Sequence, residues 1–232
     1  MPNVQDLDLE ISDWRAVRTG DGSFTLDSAV LGEHYHSMFG ALTESRHVYM
    51  EHGMRSVQSD RMDLLEVGFG TGLNALLALQ EAERVRVNVN HLAIEPRPVP
   101  EVLWSSLAHT AAVGAPDMEA SYKQMMRAAA GENHRISGYF NFRSVLEPVQ
   151  ELVAKEAFDL VFHDAFAPGI QPGMWTLEVF RTLFRAMRPG AQLVTFCSKG
   201  EVRRTMMAAG FRVDRLPGPP GKNEMLKAHK AR

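Results

Sequence analysis

The sequence predicts a doubly wound α/β domain, a mostly parallel sheet covered by helices on both faces. Three observations predict it. From residue 62 onward, apolar strand-like runs alternate with helical patterns, the signature of βαβ units and a parallel sheet. A glycine-rich turn, Gly68-Phe69-Gly70-Thr71-Gly72, joins the first of those strands to the first helix. The last two strand patterns have no helix between them, so they pair antiparallel at one edge.

Taken in order, residues 13–27 read as a β-hairpin about the turn-forming cluster Thr19-Gly20-Asp21-Gly22. Residues 33–40 are polar and aromatic without a clear period, and 41–57 look helical. Residues 1–58 thus form a small N-terminal extension packed on a main domain of 59–232. That domain opens with a strand at 62–67, a helix at 72–83 and a strand at 87–94. Helical patterns follow at 99–109 and 119–130, then a strand at 139–145, a helix at 149–155 and a strand at 158–163. A helix at 175–187 stops at Arg188-Pro189-Gly190. A strand at 192–196, a helix at 200–209 and strands at 211–216 and 224–228 complete seven strands.

Composition narrows the class. The chain has 232 residues, 45% hydrophobic and 23% charged, enough for one domain with a full core. No apolar run approaches the roughly 20 residues that span a bilayer. Met1-Pro2-Asn3-Val4-Gln5-Asp6 lacks the basic and apolar regions of a leader. A single cysteine, Cys197, excludes an internal disulfide framework and fits a reducing cytoplasm. His34 and His36 are the nearest pair of possible ligands, without metal-site spacing, so no metal is expected. Charge is uneven: residues 197–232 carry nine basic side chains against three acidic ones on a chain of net charge −3. A basic end on an acidic protein fits a polyanionic partner, and fits an ordinary solvated face as well.

The glycine turn carries the first chemical statement. The strand before it ends in Glu66, giving Glu-x-Gly-x-Gly-x-Gly. A dinucleotide fingerprint needs its third glycine where Leu73 stands. The observed spacing is instead the usual one of S-adenosylmethionine (SAM) methyltransferases. SAM has no pyrophosphate and carries positive groups, which suit a neighbouring acid. With seven strands and that loop, the chain reads as a Rossmann-like class I SAM-dependent methyltransferase with an antiparallel edge strand.

Ligands of such sheets sit at the C-terminal strand ends, and that rule ranks the candidates. Glu95 ends the second strand, 23 residues past Gly72, where a carboxylate accepts both ribose hydroxyls. Ser144 ends the third and is the candidate adenine contact. Asp164 ends the fourth, and an acid at the mouth of a buried strand is costly unless solvated or used. Beside a methyl donor it would orient an amine and take up its proton. His163 points to the opposite face by strand alternation and reads as structural. Cys197 is either a thiolate nucleophile or a small core residue. Lys199, Arg203, Arg204 and Lys222 are candidate phosphate contacts beside the same mouth.

Several motifs occur together in one family. They are Tyr35-His36-Ser37-Met38-Phe39-Gly40-Ala41 with Glu44-Ser45-Arg46, then Glu66-Val67-Gly68-Phe69-Gly70-Thr71-Gly72-Leu73-Asn74 and Asp164-Ala165-Phe166-Ala167-Pro168. Met174-Trp175-Thr176, Ser198-Lys199-Gly200-Glu201-Val202-Arg203-Arg204 and Gly218-Pro219-Pro220-Gly221-Lys222 with Glu224-Met225 follow. Over residues 31–228 the sequence resembles the MnmD/MnmC-type tRNA methyltransferases. The resemblance implies SAM-dependent methylation of the amine of 5-aminomethyl-2-thiouridine at the tRNA wobble position. It places Glu66, Gly68, Phe69, Gly70, Gly72, Asn74 and Glu95 around SAM, with Asp164 touching both cofactor and target amine. Glu44 and Phe166, inside the shared motifs, are candidate substrate contacts.

In two-domain members an FAD-dependent oxidase domain follows. None follows here, so the resemblance implies a stand-alone form without FAD or an obligate protein partner, acting after a separate oxidase or aminomethyl-forming enzyme. Ser144 stands where members often have Asp, and Asn223 where Arg is common. Three other readings remain. A small-molecule methyltransferase of the same fold would work without tRNA. A non-catalytic SAM- or RNA-binding module would not need Asp164. An aminopropyltransferase would show acidic residues for a polyamine where this C-terminal end is basic.

Overall fold

The computed structural model describes residues 10–231. The stretch 1–6, read as lacking a leader, and Arg232 of the basic end lie outside the described residues. Strands β1 (Trp14–Arg18), β2 (Phe24–Ser28) and β3 (Glu33–His34) make a small antiparallel sheet. The first two are the expected hairpin, and β3 extends it through an Asp27–His34 pairing. The hairpin turn caps the next helix, α1 (Ala41–Ser45), whose own N-cap is the side-chain-less Gly40. Thr19 Oγ1, Ser23 Oγ and Asp21 Oδ2 accept from the amides of Ala41, Leu42 and Thr43 at 3.3, 3.2 and 2.8 Å. Burial opposes a charge on Asp21, but bonds from Ser23 and Thr43 outweigh it and hold the carboxyl well below its ordinary range.

The main domain runs β4 (Arg61–Val67), α2 (Leu73–Val85), β5 (Asn88–Ile94), α3 (Glu101–Trp104), α4 (His109–Ala112), α5 (Glu119–Met126), β6 (His134–Arg135) and β7 (Phe140–Val145). It continues with β8 (Phe158–His163), α6 (Leu177–Ala186), β9 (Met187–Thr195), α7 (Gly200–Ala208), β10 (Arg212–Pro217) and β11 (Glu224–His229). The sheet order is β10-β11-β9-β8-β4-β5-β7-β6. From β4 the chain moves outward through β5 to β7, then returns to the other side of β4 at β8 and on to β9. That reversal opens a crevice above β4 and β8, the place where such sheets bind ligands. Alternation along β4 supplies both cores. Met62 and Leu64 pack with Leu73, Leu76 and Leu77 of α2, while Leu65 and Val67 pack with Val179, Phe180 and Leu183 of α6. Each fully buried Leu contributes about 1.5–3 kcal/mol relative to exposure.

Several expectations need correction. The sheet has eight strands rather than seven: β10 and β11 form the antiparallel pair expected at one edge, with β11 also running against β9, and the two-residue β6 adds an antiparallel strand beside β7 at the other edge. The helical stretch 41–57 is broken: α1 gives way to a π turn at Arg46–Glu51 and a 3₁₀ turn at Met54–Ser56. The wider turn keeps Val48, Tyr49 and Met50 buried together. The helix expected at 99–109 is split because Ala108 takes a left-handed conformation, φ 48°. Only a 3₁₀ turn, Val149–Glu151, forms in 149–155, where Val153 is left 91% exposed. Strand β9 starts at Met187, so the Arg-Pro-Gly stop lies in the strand entry and α6 ends at Ala186.

Candidate active site

The crevice is a cavity of about 1040 Å³, built at the C-terminal ends of β4, β5, β8 and β9. Its floor is the glycine turn. At Gly68, φ is +91°, and a Cβ there would lie 2.2 Å from the backbone oxygen of Asp164. Only glycine lets the ends of β4 and β8 come this close. The approach is locked by Asp164 N donating to Val67 O at 2.8 Å, and on the other side of β4 Gly68 N donates to Ile94 O of β5 at 3.0 Å. The next free amide, Gly70 N, donates to Glu95 Oε2 at 3.0 Å. Gly72 starts α2 as its N-cap and lies behind the cavity wall, whereas Phe69 lines it and packs on Phe142 at 5.3 Å.

Buried and half-buried carboxylates stand in the walls. Glu95 accepts from Gly70 and, through Oε1, from Arg97 N at 3.1 Å. Burial pushes its carboxyl up, and nearby Glu66 adds to this against the two backbone bonds. Asp164 faces the cavity beside it and accepts from Asn74 Nδ2 at 2.8 Å. Burial raises Asp164 to about 7; Tyr49 and Asn74 favour its charged form, and Glu66 opposes it. The Tyr49 hydroxyl has no well-aligned partner and stands against this carboxylate. Glu44, 3% exposed, accepts from Ser37 N at 3.0 Å and is raised to about 8 by burial and by Asp164. Three acids with elevated pKa, Glu44, Glu95 and Asp164, thus share one cavity.

Aromatic and basic groups complete it. Tyr35 lies 5.0 Å from both Trp14 and Phe166, ring centre to ring centre, and all three line the cavity. Lys199 and Lys222 line the side formed by the chain after β9 and before β11, where Lys222 Nζ sits 3.4 Å over the Phe196 ring. Cys197 also lines the cavity, but burial pushes its thiol up, which disfavours the nucleophilic thiolate. His163 lies on the opposite face against Trp175 at 4.7 Å, with Nε2 3.1 Å from Met174 O.

The structure therefore brings Gly68, Phe69, Gly70, Asn74, Glu95 and Asp164 into one wall, with Glu44, Phe166, Lys199 and Lys222 across the same cavity. Besides Gly72, three groups of expected contacts lie elsewhere. Glu66 is fully buried beneath the floor, its carboxylate 2.9 Å from His91 Nε2 with poor alignment, and acts on Asp164 and Glu95 through its field. Ser144 turns towards Ala128 O at 3.5 Å, away from the cavity. Arg203 and Arg204 sit on α7 outside the wall. Sequence reasoning missed Tyr49, hidden in a stretch read as plain helix, and Trp14 and Tyr35. The aperiodic aromatic run around Tyr35 is the signal that marked the last of these.

The walls fit a SAM-like ligand. Asn74 Oδ1 is buried without a partner, an acceptor awaiting a donor. Glu95 keeps unused lone pairs on both oxygens beside the exposed glycine backbone. Among the described residues no three His, Cys, Asp or Glu side chains are placed to hold a metal ion, and no helix is long and apolar enough to cross a membrane.

Known proteins are similar to this chain in sequence and fold. A family model described as S-adenosyl-L-methionine-dependent methyltransferase matches residues 116–231. The tRNA 5-methylaminomethyl-2-thiouridine biosynthesis bifunctional proteins MnmC of Ectopseudomonas mendocina and Pseudomonas fluorescens are 35% and 33% identical over 211 and 216 residues. Those matches take in 84% and 86% of this chain but span 32% of each relative. MnmC2 from Aquifex aeolicus superposes with a TM-score of 0.72 over 94% of this chain and 71% of that one, at 24% identity. That likeness shows a shared fold.

Proposed function

We propose that this chain, which belongs to the S-adenosyl-L-methionine-dependent methyltransferase family, methylates the amine of 5-aminomethyl-2-thiouridine at the wobble position of tRNA. The observation that carries the reading is Asp164, held between the glycine turn and Asn74 with its pKa raised to about 7. When bound, SAM supplies a methyl group on a positively charged sulfur. Asp164 then has two tasks: it accepts a hydrogen bond from the amine, fixing its orientation, and it takes the proton that the nitrogen sheds. A base of pKa near 7 does this best at neutral pH. Asn74 holds the carboxylate in place, with the Tyr49 hydroxyl against it. Trp14, Tyr35 and Phe166 offer ring faces for a base, and Lys199 and Lys222 offer charges for phosphates.

The names of the MnmC relatives support tRNA as the substrate class and 5-methylaminomethyl-2-thiouridine as the product. On this reading the described part of the N-terminal extension, residues 10–58, forms the wall facing the acceptor, and the protein works in the cytoplasm. The basic side chains predict a strong salt dependence. With four phosphate contacts, from Lys199, Lys222, Arg203 and Arg204, the log–log slope of tRNA affinity against salt is about −3. Filter binding from 50 to 200 mM salt checks it, and a flat response contradicts the reading.

Glu44 gives a separate prediction. At neutral pH its raised pKa, from burial first and Asp164 second, keeps it protonated. Glu44→Gln copies that neutral form, so turnover at pH 7 stays within about threefold of the parent. The sign for stability follows from linkage. A carboxyl raised in the folded state stabilises fully below its unfolded pKa and loses that contribution as pH rises through about 8. Thermal unfolding from pH 5 to 9 shows a falling Tm in the parent and a flatter profile in Glu44→Gln.

A further inference from the structure

We infer that Phe39 is a fixed stacking platform, just outside the cavity, for an unpaired base next to the methylated nucleotide. The inference rests on the tRNA reading and adds to it a surface outside the cavity walls. Phe39 is the one aromatic among the large apolar side chains left exposed in the described residues, at 63%. A lone exposed apolar residue means little, but this one is built into place. Three loops converge on it. Its own loop is tied down by Gly20 N donating to Met38 O at 2.8 Å, Gly40 N to Ser37 O at 3.1 Å and Phe39 N to Ser37 Oγ at 3.2 Å.

Two glycines make room for the arrangement. A Cβ at Gly20 would meet Phe39 O at 2.8 Å, and one at Gly221, where φ is +84°, would meet the ring itself at 2.2 Å. One face of the ring thus lies over the Gly221 backbone while most of the side chain remains open. Gly221 leads directly into Lys222, which lines the cavity, and Met38 beside Phe39 lines it too. The platform therefore adjoins the cavity and a cation that can hold a phosphate. An exposed ring face beside cations is the arrangement by which single-stranded RNA is gripped, because every base has a π-face to stack. A strand whose target base enters the cavity must leave its neighbour unstacked outside, and Phe39 replaces the lost stacking partner.

The test uses the full chain with labelled SAM and tRNA from cells lacking this methyltransferase. Phe39→Leu keeps apolar packing on Gly221 but has no π-face. It is expected to raise KM for tRNA roughly tenfold, with kcat, Tm and SAM affinity nearly unchanged. Phe39→Trp restores a low KM. Val153→Ala, at an exposed apolar residue that does not line the cavity, leaves KM unchanged. A KM for Phe39→Leu within twofold of the parent overturns the platform while leaving the tRNA reading intact. A parent protein that neither binds nor methylates tRNA overturns the reading itself, and the platform with it.

Discussion

Asp164→Asn is expected to bind SAM within a few-fold of the parent and to lose turnover by roughly 10²- to 10⁴-fold, the usual worth of a general base. The amide is close in shape and its oxygen still accepts from Asn74 Nδ2, now at 2.8 Å from Asp164 Oδ2. What it lacks is a basic lone pair for the proton of the amine. The parent should gain activity as pH rises through about 7, because burial has raised Asp164 to that value and only the deprotonated form is a base. The substituted protein should lose that inflection. Steady-state rates from pH 5.5 to 8.5, with SAM affinity measured by calorimetry, separate the two effects. Unchanged turnover would remove Asp164 from the mechanism.

Gly68→Ala attacks the site from below. The residue has φ +91°, and the new Cβ would sit 2.2 Å from the backbone oxygen of Asp164. No flexible side chain can yield there. Relief means parting β4 from β8 and breaking the bond from Asp164 N to Val67 O. We expect a stability loss of about 3 kcal/mol or more, and SAM binding below detection. Gly138→Ala is the control, since a Cβ there meets nothing within 4 Å; surface changes of this kind stay within about 0.5 kcal/mol. Urea unfolding of both proteins, with and without SAM, checks the contrast. A Gly68→Ala protein with parental stability and SAM affinity would contradict the geometry described.

Much of this architecture is legible in the sequence because its signals are local. The βα alternation and the glycine spacing are short-range patterns, and strand ends such as Glu95 and Asp164 follow once the strands are placed. Glu66 shows where local reasoning stops. Its position after an apolar run marks it as acidic and near the glycines, but strand alternation turns it under the floor towards His91. Ser144 fails for a related reason: the chain at 128–131 folds back over β7 and occupies its side chain and carbonyl. Tyr49 reaches Asp164 only because a π turn re-aims the helix that carries it, and no period in the sequence announces such a turn. Trp14 and Tyr35 join Phe166 across more than 100 residues of chain. Contacts of that kind depend on tertiary packing rather than on spacing.

The central claim joins a SAM-dependent fold to one nucleoside of tRNA, and product analysis tests it most directly. Purified protein is incubated with methyl-labelled SAM and tRNA from cells lacking this methyltransferase, and the tRNA is digested to nucleosides. The account predicts label in 5-methylaminomethyl-2-thiouridine, dependent on Asp164. Label in another nucleoside, or transfer to a free amine with none to tRNA, would contradict it.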